Sequence, residues 1–413
     1  MTKYLRFVSV LTLVAIVSGA CASSGQTGGT QPPSVNQATT AVAVTSPAVT
    51  AVFTEAPASV LEASSSLLPH RLYFIGKDDQ GISQIFRMER DGKTSTQLTF
   101  ESANVSDYDV SMVDGSIAYE VNDQLVLANG DGSNRRLLVE GKPDAGIPES
   151  YHPAFSPDGQ NLAYGQNGLN LYNLSTGDSR LVIENQYGEP LPDGFQMTVE
   201  LYWPEKYSPD GKKLLVALGH WEVVPSHAVY DPETNTLVRY SEVQDYIYCC
   251  SFHGGPAWSP DSASFSGVAS AHDYAYQSGE LWKIDAQNGT LIRELKPDVG
   301  MINLPKELYL APDGDLYFFF GTYAENSGFF DAPVLNLVRS APDGETGRTV
   351  LRDENFVLMK EALWAPDASF VIVSSSPDRN WDQTAGVLEL YSTDGLKNPV
   401  WLAPSGEKMK WGP

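Results

Sequence analysis

The run Phe155-Ser156-Pro157-Asp158-Gly159 returns down the chain as Tyr207-Ser208-Pro209-Asp210-Gly211, Trp258-Ser259-Pro260-Asp261, Leu310-Ala311-Pro312-Asp313-Gly314 and Trp364-Ala365-Pro366-Asp367, with a weaker copy at Met112-Val113-Asp114-Gly115. From Asp to Asp the steps are 44, 52, 51, 52 and 54 residues. Pro presets φ at the second position of a type I turn, Ser suits the first and Gly the fourth. Each such step holds four strand-like runs. A unit of that size cannot bury its apolar face alone, so copies stack around an axis. The period therefore predicts an all-β, seven-bladed β-propeller of four-stranded antiparallel blades.

The best-preserved unit reads as strands Pro153 to Phe155, Asn161 to Tyr164, Leu169 to Leu174 and Arg180 to Ile183. Second turns recur at Asp91-Gly92, Asp131-Gly132, Thr176-Gly177, Asn288-Gly289, Asp343-Gly344 and Asp394-Gly395, as hairpin signals. The bulky residues before the proline turns, Phe155, Tyr207, Trp258, Leu310 and Trp364, are expected to pack between sheets. The folded body opens at Arg71 to Ile75 without a first strand. Its tail, Lys408 to Pro413, carries Trp411 before Gly-Pro much as Trp364 precedes Ala-Pro. The tail is predicted to pair with Arg71 to Ile75 and close the first blade.

Lys3 and Arg6 precede an apolar run from Phe7 to Val17, too short to span a bilayer, and Ser18-Gly19-Ala20 lead to Cys21. This resembles a lipoprotein signal peptide over residues 1–20, which implies lipidation of Cys21 and anchoring to a membrane through that lipid. Residues 21–68 are rich in Ser, Thr, Pro and Ala, with only Glu55 and Glu62 charged, and read as a flexible tether spanning roughly 40 Å. Residues 69–413 form the propeller. Lys and Arg number 27 against 51 Asp and Glu; loss of the leader takes two of the bases and leaves a net charge of −26. So acidic a body disfavours nucleic acid as a partner and favours a soluble monomer in the cell envelope.

Ile85-Phe86-Arg87-Met88-Glu89-Arg90-Asp91-Gly92, followed by Gln97-Leu98-Thr99 and the Ser-Pro-Asp-Gly turns, resembles the TolB-like propeller repeat over residues 71–413. The resemblance implies a propeller fold in an extracytoplasmic setting. Members of such folds include binding proteins, peptidase gates and a few sugar-active enzymes, so it implies no single activity. TolB itself resembles a six-bladed ring behind an extra α/β domain, which this chain lacks.

Alternating strand directions put the proline turns and hairpin turns on one side and the remaining connections on the other. On that second side the connections are long: Glu184 to Thr198, Gly219 to Ser226, Ser241 to Gly255, Ser270 to Gly279, Gly321 to Pro333 and Ser375 to Gly386. A binding face for a glycan, peptide or envelope protein is expected there, on Trp221, Tyr246, Tyr248, Phe252, His253, Tyr274 and Trp381. Cys249 and Cys250 are either a vicinal disulfide, favoured by export but strained, or two small buried residues. His152, His220, His227, His253 and His272 show no compact metal motif, and no metal or cofactor is expected. There is no Gly-x-Ser-x-Gly elbow and no room for a hydrolase domain. The chain reads as a binding module and not an enzyme. The alternative is a metal-assisted polysaccharide lyase, as some TolB-like propellers that look like oligogalacturonate lyases use histidines near the channel mouth.

Overall fold

The computed structural model describes residues 66–141, 150–192, 196–220, 223–239, 256–270, 278–324, 334–376 and 386–413. Every regular element among them is a strand, and all strand pairs are antiparallel. Four sheets have four strands: Val105–Val110 through Arg136–Glu140, Ala154–Phe155 through Ser179–Glu184, Ala257–Trp258 through Leu291–Glu294, and Met301–Leu310 through Thr349–Val350. A fifth runs from Thr198–Tyr207 through Leu214–His220 and Val223–Asp231 to Thr236–Val238. It gains a fifth strand, Gln186–Tyr187, at the edge beside Thr198–Tyr207.

Two expected loops are thereby corrected. Part of the connection after Glu184 is this added strand, which pairs Gln186 with Glu200 and Tyr187 with Thr198. Between Gly219 and Ser226 the ladder continues to a His220–Val223 pair, so a hairpin replaces a long loop.

The sixth sheet joins the chain's ends. Its order is Met359–Trp364, Phe370–Ser375, Gly386–Ser392, Val400–Gly412, Arg71–Lys77, Ser83–Met88 and Ser95–Gln97. The 13-residue strand Val400–Gly412 pairs through its first half with Gly386–Ser392 and through its second with Arg71–Lys77. Arg71 faces Gly412, Leu72 faces Trp411 and Tyr73 faces Lys410, as the sequence led us to expect of the tail.

The proline turns carry their own hydrogen-bond economy. In Ser156 to Gly159 the Gly159 N–H donates to Ser156 O, while the Ser156 hydroxyl donates to Asp158 Oδ1 at 2.6 Å and accepts from Asn161 N at 2.9 Å. The pattern repeats at Ser208–Asp210 and Ser259–Asp261. The fourth turn position is left-handed, with φ 66° at Gly159. Ser262 and Ala368 take the same conformation, at 61° and 56°, without being glycine.

Apolar residues gather between consecutive sheets. Tyr73, Ile75 and Ile85 meet Tyr108, Val110 and Tyr119; further along, Tyr317, Phe319 and Leu337 meet Trp364, Val371 and Val373. Phe370, Ile372 and Leu388 pack against Leu72, Phe74 and Met88, so the two halves of the seven-stranded sheet face each other across an apolar interface of their own. The bulky residues before the turns sit in these interfaces, and their indoles also bolt neighbours together. Trp258 Nε1 donates to Lys206 O at 3.3 Å, Trp364 Nε1 to Glu307 O at 2.8 Å, and Trp411 Nε1 to Trp364 O at 2.7 Å.

Candidate functional site

The first strands of the sheets line a cavity of about 780 Å³, which reaches the turn prolines Pro157, Pro209, Pro260, Pro312 and Pro366. The polar groups in and around it follow from the repeat. The residue three before the bulky one is Asp107, His152, Pro204, Glu307, Glu361 or Lys408 in the successive described units. Three of these hold a left-handed backbone, at φ 45° for His152 and 52° for both Glu307 and Lys408. Strand register is also broken at this level, between Val105 and Asp107, Pro204 and Lys206, Lys306 and Tyr309, and Met359 and Glu361. A bulge re-aims a side chain, and non-glycine residues keep such a conformation only where the surroundings over-determine it. Polar groups that a regular inner strand would pack elsewhere thus come together here.

On one side of the ring charges compensate. Asp107 Oδ1 meets Lys408 Nζ at 2.9 Å and Oδ2 meets His152 Nδ1 at 3.0 Å, while Asp109 Oδ1 takes Lys410 Nζ at 2.7 Å. Burial alone would raise the Asp107 carboxyl, but the His152 bond and the two lysine charges hold it well below the usual carboxylate range. Burial opposes charge on His152 as well, and Asp107 outweighs it, lifting the imidazole above its ordinary value. Glu120 is raised by burial and by the Asp107 charge; its Oε1 accepts from Tyr151 N at 2.7 Å and from His152 N.

At Glu307 and Glu361, in neighbouring units, burial outweighs the nearby charges of Lys306 and Lys408. Glu307 is pushed up to about 7 by burial and by the charge of Glu361. Burial likewise raises Glu361, whose Oε1 accepts from Met409 N at 3.0 Å. Neither forms an ion pair among the described residues. Lys206 is lowered by burial and the Lys410 charge. Glu205, also in the lining, bonds His227 Nε2 at 2.9 Å.

Asp107, Glu120 and His152 bring potential ligand atoms within 4.8 Å of one another. They do not fit a metal centre. Lys408 occupies one Asp107 oxygen, His152 Nδ1 the other, and backbone N–H groups hold Glu120. Of the residues singled out in the sequence, Cys21, Trp221, Tyr246, Tyr248, Cys249, Cys250, Phe252, His253, Tyr274 and Trp381 lie outside the described residues. The structure places His152 in the cavity. It adds Asp107 and Glu307 to the lining, with Glu120 and Glu361 next to them, all missed by sequence reasoning. Alignment of the units on their turns carries the missing signal, since it brings four of these five to one position.

No family model matches the chain, and no curated protein matches it. Solved structures do. A TolB from Acinetobacter baumannii is 15% identical, covering 80% of this chain and 79% of that one, with a TM-score of 0.42. A β-propeller domain from Myceliophteria thermophila is 13% identical, covering 76% and 88%, with a TM-score of 0.43. The chain's succession of four-stranded antiparallel sheets is the architecture of a β-propeller. An oligogalacturonate lyase from Vibrio parahaemolyticus is similar at 13% identity, 80% and 84% coverage, and a TM-score of 0.50. Identities this low speak for the fold and not for an activity of this propeller.

Proposed function

We propose that this TolB-like propeller is a lipid-anchored, extracytoplasmic binding module whose axial cavity receives a cationic side chain of a peptide or envelope protein. Residues 1–20 would be the signal peptide, Cys21 the lipidated residue, 21–68 the tether and 69–413 a ring of seven blades. In that ring the seven-stranded sheet counts as two blades sharing Val400–Gly412, a division supported by the apolar interface from Phe370 and Ile372 to Leu72 and Phe74.

One observation carries the ligand class: Glu307, raised by burial and by the charge of Glu361 and without an ion-pair partner among the described residues, lines the cavity together with Tyr309 and Trp364. A cation entering there would stabilise both ionised carboxylates and stack on the rings. The metal-assisted lyase has less support, because the acid–histidine cluster is already compensated by Lys408.

Calorimetric titration with pentalysine, and separately with a neutral oligosaccharide, tests the reading. Pentalysine should bind more tightly at pH 8 than at pH 6, since its charge competes with protons for Glu307. Glu307→Gln and Glu361→Gln together should weaken it at least tenfold. Undiminished binding in that double variant, or binding of the neutral sugar alone, defeats the proposal.

A further inference from the structure

Ser150 Oγ lies 2.9 Å from His152 Nε2, and His152 Nδ1 lies 3.0 Å from Asp107 Oδ2. We propose that Ser150, His152 and Asp107 form a nucleophile, general base and positioning carboxylate for acyl transfer from an ester to water, an activity beyond capture of a ligand.

The protonation pattern follows from the neighbours. Lys408 holds the other oxygen of Asp107 at 2.9 Å, so Asp107 is ionised and can only accept. His152 Nδ1 must then carry the proton, which leaves the Nε2 lone pair facing the Ser150 hydroxyl, as nucleophile activation requires. Glu120 grips the N–H groups of Tyr151 and His152, and Trp203 meets the imidazole edge-on at 6.1 Å. The left-handed φ of 45° at His152 is thus held from several directions. A reactant has access, because the His152 side chain is 44% exposed and lines the cavity.

The repeat supplies an internal control. Positions equivalent to Ser150, five before the bulky residue, are Val105, Tyr202, Pro305, Met359 and Gly406 in other units. The fold therefore has no need of a serine there, and an aliphatic hydroxyl occurs among these units where a histidine and a carboxylate complete the row.

In the reaction, Ser150 Oγ attacks the ester carbonyl carbon while its proton passes to His152 Nε2 and the carbonyl π pair moves to oxygen. Collapse of this intermediate breaks the bond to the alkoxide, which leaves with the proton from Nε2. Water then attacks the acyl-serine, giving a proton to Nε2, and the second collapse returns that proton to Ser150 Oγ and frees the acid. Asp107 touches no reactant; it orients the imidazole and stabilises its cation.

The test uses the intact protein, a fluorophosphonate label and p-nitrophenyl acetate. Mass mapping should place the label on Ser150. Ester hydrolysis should rise with pH through a midpoint above 6.5, because imidazolium cannot act as base. Ser150→Ala should abolish labelling and slow hydrolysis about 100-fold or more, with its melting temperature unchanged. Asp107→Asn should move the midpoint downward, a shift that a purely structural role would not produce. Absence of label on Ser150 of the wild-type protein at pH 8 overturns the proposal whether or not any variant folds. So does hydrolysis untouched by Ser150→Ala. Neither result bears on pentalysine binding, which involves Glu307 and Glu361.

Discussion

At the scale of single residues, the repeat dictates conformation more strictly than it dictates identity. Gly132 and Gly177 fill equivalent hairpin turns, with φ of 80° and 78°. An added Cβ at Gly177 would meet only Tyr172 Oη at 3.5 Å, whereas at Gly132 it would strike the Leu98 carbonyl oxygen at 2.1 Å. Gly177→Ala should therefore cost about 1 kcal/mol, the left-handed penalty alone. Gly132→Ala should cost clearly more, about 3 kcal/mol, since backbone must move as well. Chemical denaturation of the two variants side by side checks the ranking, and equal losses would show that the Leu98 contact is soft. The sequence displayed both glycines as turn signals. It gave no warning that one of them touches a neighbouring sheet, because that contact is set by packing across units and not by local chemistry.

At the scale of elements, the strand Val400–Gly412 holds the ring together. Its last six residues pair with Arg71–Lys77, seat Met409 and Trp411 in the apolar interface, and send Lys408 to Asp107 and Lys410 to Asp109. Burying two such side chains contributes roughly 1.5–3 kcal/mol each, before the lost ladder is counted. Removal of Lys408 to Pro413 should lower the melting temperature by about 10 °C, measured by calorimetry. An unchanged melt would mean that closure does not depend on this pairing. Here sequence reasoning succeeded for a physical reason: Trp411 before Gly-Pro copies the local pattern of Trp364 before Ala-Pro, and an unpaired inner strand demands a partner. It failed at the cavity because polar residues in an inner strand look solvent-facing until the bulge that turns them inward is seen. Asp107 and Glu361 carry no mark in their own neighbourhoods. The loop face read from aromatic content concerns residues outside those the structure describes.

At the scale of the whole molecule, two sets of carboxylates pull stability in opposite directions with pH. Asp91 is held down to about 2 by the Thr94 N–H and hydroxyl; Ser259 lowers Asp261 and Thr346 lowers Asp343. Such groups stabilise the fold above the unfolded range near pH 4 and lose that contribution as pH falls toward 2. Glu307 does the reverse. With its folded value raised to about 7, the native state keeps a proton that the unfolded chain sheds near pH 4.5, so stability declines as pH rises through that interval. Melting temperature should peak between about pH 4 and 6. Glu307→Gln should raise stability at pH 8 by about 1–2 kcal/mol while changing little at pH 5, allowing for water in the cavity. A flat profile in the native protein would mean that Glu307 is solvated. The closing pairing has one more effect. Arg71 Nη1 holds Pro413 O at 3.1 Å, so the point where the folded body begins and the point where it finishes are neighbours. A few linking residues could splice them, and fresh termini cut at a surface turn would then preserve the same circuit of strands.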